Sequence, residues 1–230
     1  MAGARAVFDG PTSPVTQTFG LGLFDPVGAA DLERIEAFFR ERGAPVLHEV
    51  SPLADPALVA LLNERGYQPF EFTSVLYRSI QNGHATAGAP VNGSLHIRQI
   101  DTDDGELWAR TAAAGWSDYE GLGEFLLDVG RVNVETADCR LYLAELQGRP
   151  IATAALRMHD GVAFLAGAST IPDGRRRGAQ LALLDRRLSD AAADGCDIAM
   201  MGALPGSGSQ RNAERHGFRI AYTRVKWRKT

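Results

Sequence analysis

The chain has 230 residues, 45% of them hydrophobic and 23% charged, with a net charge of −4, values that fit a globular protein of one large or two small domains. No uninterrupted apolar stretch approaches the roughly 20 residues of a membrane span, and no secretory core precedes the first acid, Asp9. Cys139 and Cys196 are isolated, and the five histidines have no metal-ligand spacing, so a cytoplasmic protein with reduced thiols and no metal is expected.

In chain order, an apolar strand is expected over 15–23, a helix over 29–42, a strand over 45–50, and a short helix ending in Gly66-Tyr67 before a strand at 73–78. Residues 79–94 are rich in Gly, Ala, Asn and Ser without apolar period, and read as a linker. A strand at 95–100 follows, then Asp101, Asp103, Asp104 and Glu106 as caps and early acids of a helix through Trp108. Residues 113–137 read as a loop and a second helix. Two strands, 140–146 and 150–158, flank a hairpin turn at Gln147-Gly148-Arg149. The run 161–170 reads as a buried strand and 180–194 as a helix with Leu181, Leu184 and Leu188 on one face. A strand at 197–202, a short helix capped by Ser209 and a strand at 220–228 complete the chain.

Between the strand at 161–170 and the helix that follows lies Pro172-Asp173-Gly174-Arg175-Arg176-Arg177-Gly178-Ala179-Gln180. A loop there exposes unpaired N–H groups at the helix's first turn, where the macrodipole favours negative charge. Three consecutive arginines reinforce the field. Residues 1–170 hold 22 acids against 12 arginines and no lysine, whereas 171–230 hold 12 basic residues against six acids. The last quarter is therefore the expected anion-binding end. A pI near 5.7 and the lack of an aromatic-rich basic stripe argue against nucleic acid and for a small polyanion.

These residues resemble the signature of the GNAT superfamily of acyl-CoA-dependent N-acyltransferases, Gln/Arg-x-x-Gly-x-Gly/Ala, matched at Arg175 and Gly178 and departing at Gln180. The resemblance covers 95–230 in full, in the order β-α-α-β-β-β-α-β-α-β, and implies an α/β fold with a mixed sheet. It implies acetyl-CoA as co-substrate, held by Ala168, Ser169 and Thr170 along the strand edge, by Arg175, Arg176, Arg177, Gly178, Ala179 and Gln180 in the loop, and by Asn212. The side chain of Gln180 must either point away from the pyrophosphate or donate to it. The reaction implied is direct transfer of an acetyl group to a primary amine of a small molecule or peptide, by a monomer or homodimer. The family often places a tyrosine four residues before the Gly-Phe pair, where Ala213 stands here. Tyr222 is the expected substitute acid, Glu120 the expected base, and a water chain to solvent the alternative to a single base. A non-catalytic acyl-CoA-binding or sensing module is the competing reading.

The chain also repeats itself. Glu64-Arg65-Gly66-Tyr67 followed by Thr73-Ser74-Val75-Leu76-Tyr77-Arg78 echoes Glu214-Arg215-His216-Gly217-Phe218 followed by Thr223-Arg224-Val225-Lys226-Trp227-Arg228. Residues 1–78 thus look like a degenerate, partial GNAT-like lobe, 79–94 a linker and 95–230 a complete catalytic domain. The lobe's own strand-to-helix turn, around Asp25 and Asp31, has two acids and no arginine. It is expected not to bind CoA.

Overall fold

The computed structural model describes residues 2–13, 15–80, 95–118 and 123–229. In chain order the elements are β1 (Arg5–Val7), β2 (Gln17–Phe19), α1 (Ala29–Arg40), β3 (Leu47–Val50), α2 (Ala57–Glu64), β4 (Tyr67–Ser79), β5 (Leu95–Gln99), α3 (Gly105–Ala114), α4 (Gly123–Glu135), β6 (Cys139–Leu146), β7 (Arg149–His159), β8 (Val162–Thr170), α5 (Ala179–Ala193), β9 (Ile198–Ala203), α6 (Gly208–Arg215) and β10 (Arg219–Lys229). The α/β class and the element order match the sequence expectation, with differences that have local causes. β2 is cut short by Gly20 and Gly22, both at positive φ, which end the extended run. α6 is capped by Ser207, not Ser209: the Ser207 hydroxyl accepts from Gln210 N–H at 3.1 Å, and the Gln210 side chain returns a bond from Gly206 N–H at 3.0 Å. The two bonds close a reciprocal cap two residues before Ser209. The expected linker lies mostly outside the described residues, and its first two positions are Ser79, the last residue of β4, and the buried Ile80.

The chain forms two compact units, Met1–Leu76 with Gly202–Thr230, and Tyr77–Met201. This division cuts the chain elsewhere than composition does, because β10 is built into the first unit.

In the first unit the strand order is β1-β2-β3-β10-β4. β2 and β3 are parallel and joined through α1, while β10 runs antiparallel to β3 with Val225 opposite Val50 and Trp227 opposite His48. Leu32, Ile35 and Phe39 of α1, at helical spacing, pack with Leu58 and Leu62 of α2 and with Tyr67 and Trp227 to form the core. Glu36 lies on the same face and is buried. Its carboxylate accepts from Arg65 at 3.1 and 3.2 Å, from the Tyr67 hydroxyl at 3.1 Å and from Lys229 at 2.9 Å, the pairing that a buried charge requires.

In the second unit the order is β9-β8-β7-β6-β5, with β5 to β8 antiparallel and β9 parallel to β8. The β6–β7 turn has Gln147 and Gly148 at φ 52° and 78°, the positive pair that a two-residue hairpin with right-handed strand twist demands. Trp108 of α3 packs with Leu141, Leu143 and Ala155, while the intervening Tyr142 bonds Asp190 of α5. By strand alternation α3 and α5 therefore cover opposite faces of this sheet.

Candidate active site

β8 ends in a 3-10 turn at Pro172–Gly174, where Gly174 and Arg175 donate back to Ile171 and Pro172. The chain then leaves regular structure for residues 175 to 178: Arg175 is extended, Arg176 has φ 63° and Gly178 has φ 82°. For Gly178 the left-handed conformation is free of cost, whereas for Arg176 it costs about 1–2 kcal/mol. The first backbone donor of the helix with an acceptor is Ala182, bonded to Gly178 at 3.1 Å. Among the described residues, the N–H groups of 176 to 181 donate to no protein acceptor. Six consecutive unused donors at the positive end of a 15-residue helix present what an anion-binding loop requires.

Side chains refine that site. Arg176 and Arg177 are exposed, whereas Arg175 reaches Asp118 at 2.5 Å and the Gly115 carbonyl at 3.1 Å. The one acid in the loop, Asp173, is matched by Arg149 at 2.8 Å. Gln180 points away from the loop: its amide donates to the Ser169 carbonyl at 2.7 Å, to Thr170 Oγ1 at 2.9 Å and to the Thr153 carbonyl at 3.4 Å. This settles which way the larger side chain turns. Ala179 is buried and its small size lets the helix start against the sheet.

β8 carries a bulge beside this loop. Thr153 faces Ser169 and Ala155 faces Ala166, so Ala154 stands opposite both Gly167 and Ala168. Gly167 has φ 60°, and a Cβ on it would meet Ala155 and Trp108 at 3.0 and 3.2 Å. Such bulges re-aim the backbone next to active sites. On its other side β8 pairs with β9 at Val162, Ala163 and Phe164; among the described residues, 165 to 170 have no partner on that side. Ser169 is buried and donates to the Ala112 carbonyl at 2.7 Å. A Cβ on Gly115 would lie 1.9 Å from Ser169 Oγ and 2.8 Å from Thr170 N, so the end of α3 can approach β8 this closely only with glycine there.

The second unit thus gathers Ala168, Ser169, Thr170 and residues 175 to 180. Asn212 of α6 and the half-buried Tyr222 of β10 belong to the first unit. Glu120 lies outside the described residues. Sequence reasoning missed Arg187, which is 4% exposed amid Leu183, Leu184 and Leu188. A charge at a helix position with apolar period was its visible signal.

No protein-family model and no curated protein matches the sequence. Among solved structures, the chain is similar to a GCN5-related N-acetyltransferase from Kribbella flavida at 22% identity, over 98% of this chain and 89% of that one, with a TM-score of 0.73. It is similar to a GCN5-related N-acetyltransferase from Sphaerobacter thermophilus at 17% identity, over 93% and 72%, with a TM-score of 0.69. A tandem GNAT protein from the clavulanic acid biosynthesis pathway matches at 13% identity over 94% and 75%, with a TM-score of 0.67. The chain has the fold of the GCN5-related N-acetyltransferases.

Proposed function

We propose that the protein is an acetyl-CoA-dependent N-acetyltransferase acting on a primary amine of a small molecule or peptide. The observation that carries this reading is the run of six unused N–H donors at the start of α5, next to a strand edge left open by the short β8–β9 ladder. The loop would hold the pyrophosphate, with Arg176 and Arg177 adding charge-assisted contacts. The β8 edge around Ala168 would pair with the pantetheine amides, and an N–H at the bulge would polarise the thioester carbonyl. With both substrates aligned, the amine nitrogen attacks the carbonyl carbon, the C–S bond breaks, and the amine's proton leaves to Glu120 or through water. The thiolate takes a proton from Tyr222 or from solvent.

The same geometry supports the N-terminal residues as a partial copy. The order β2-α1-β3-α2-β4 parallels β8-α5-β9-α6-β10, each with a parallel strand pair around its first helix. Each ends in a glycine of positive φ and a buried aromatic, Gly66-Tyr67 and Gly217-Phe218. A tandem GNAT protein among the solved structures is in keeping with this.

The buried Ala213, in place of the expected acid, favours the second reading, a non-catalytic acyl-CoA sensor. Thiol release from acetyl-CoA over a panel of primary amines tests the two. Amine-dependent release supports the transferase; tight acetyl-CoA binding without release with any amine supports the sensor.

A further inference from the structure

We propose that Arg187 is a positioning residue for acyl transfer, holding the β8 bulge in the register that offers its main-chain N–H groups to the thioester carbonyl. The inference rests on the acetyltransferase reading of the same site.

Arg187 is a buried cation with no carboxylate partner among the described residues. Burial pulls its guanidinium down to about 10, which still leaves it charged at neutral pH. An uncompensated buried charge is costly, and a leucine or methionine would fill an apolar helix face without that cost. What the guanidinium contacts is specific: Nε donates to its own helix at Leu183, and Nη1 donates at 3.2 Å to both Ala155 and Ala166. Ala155 and Ala166 form the cross-strand pair on one flank of the bulge.

Seven residues earlier on α5, and so on the same helix face, Gln180 performs the matching task on the other flank. Its amide takes the carbonyls of Thr153 and Ser169, the pair beyond the bulge. Between the two flanks the Thr153 hydroxyl takes the Gly167 carbonyl at 3.0 Å. Side chains thus reach main-chain carbonyls on both flanks of the bulge and within it. The helix whose first turn forms the anion loop therefore also dictates the shape of the bulge. Arg187 adds charge to this: a cation on the Ala166 carbonyl polarises the peptide unit that carries the Gly167 N–H, making it a stronger donor.

The test uses the full chain, with acetyl-CoA and with S-ethyl-CoA, a thioether that lacks the carbonyl oxygen. Wild-type protein should prefer acetyl-CoA by about tenfold, the worth of one good hydrogen bond. It should also lower the infrared stretching frequency of a carbonyl-labelled thioester. Arg187→Met should bind S-ethyl-CoA within about twofold of wild type, because the anion loop is a separate site, yet lose both the preference and the frequency shift. Thiol release with an accepted amine should fall about 10²-fold, the effect of a misplacement near 1 Å. Arg187→Lys, which keeps the charge but not the fork, should fall between. A folded Arg187→Met that retains preference and shift overturns the proposal. If that variant does not fold, Arg187→Lys decides by the same two readings, with wild-type values overturning it. Wild-type protein that binds neither ligand overturns the acetyltransferase reading itself, which is a distinct failure.

Discussion

Lys229 donates to Glu36 Oε2 at 2.9 Å across 193 positions of sequence, tying β10 to α1 inside the first unit. Burial alone would push the Glu36 carboxyl up, but the bonds from Arg65, Lys229 and Tyr67 overcome it and hold the group at about 2. Beside it, burial pulls His48 down to about 4, and neither ring nitrogen has a partner among the described residues.

Both shifts make the first unit labile to acid, in separate windows. The unfolded chain protonates His48 near its ordinary 6.5, so stability falls by about 3 kcal/mol as pH drops from there to 4. Glu36 contributes a similar amount, fully present above its ordinary 4.5 and lost as pH falls to about 2. His48→Leu should remove the upper window and leave the lower one. At pH 7 it should melt no lower than wild type, since two unpartnered buried nitrogens are replaced by carbon. Melting temperature against pH for both proteins is the measurement; an unchanged slope between pH 6.5 and 4 in the variant would refute it.

Arg177→Ala should weaken acetyl-CoA binding by about 1.5–3 kcal/mol and make the remaining affinity less sensitive to salt. Arg175→Ala should cost less, because Asp118 and Gly115 already engage that side chain. Calorimetric titration at two ionic strengths separates them, and equal, negligible losses in both variants would discredit the anion loop.

One chain should bind one CoA despite its internal repeat. The start of α1 is occupied by its own carboxylate: Asp31 accepts from Gly28 N–H at 3.0 Å and from Arg34 at 2.5 Å. An anion approaching that helix meets a negative charge instead of free donors. A calorimetric stoichiometry near two would contradict this.

Tyr222→Phe removes only a hydroxyl from a half-buried strand position. If the hydroxyl protonates the leaving thiolate, acetyl-CoA affinity should hold while kcat falls by roughly 10²–10⁴. Full turnover in the variant would assign that proton to solvent, which a thiolate of ordinary pKa near 8.5 tolerates.

The candidate anion loop was legible because an arginine run and a glycine stand where an apolar strand meets an apolar helix, and local chemistry alone sets that turn. The strand character of 220–228 was equally legible, but its neighbours were not. Alternation along β10 says which side chains face inward, whereas the choice of β3 beside it depends on residues distant in sequence such as Glu36 and His48. Periodicity likewise places Glu36 and Arg187 on buried faces without naming what satisfies them. The bulge was hidden because Gly167-Ala168 reads as an ordinary small-residue pair within a strand, and only the register with β7 exposes the extra residue.

The place of β10 between β3 and β4 sets the order in which the polypeptide can mature on the ribosome. β3 is translated long before its neighbour, and at about 5–20 residues per second it stays without that strand for roughly ten seconds or more. Residues 77 to 201 contain both partners of every ladder from β5 to β9 described above and can form these as they emerge, while the residues before them remain an unfinished sheet with an open edge. Such edges recruit foreign strands. Until Arg219–Lys229 is translated, the edge of β3 that β10 will cover is therefore the part of the nascent chain most open to pairing with the wrong strand.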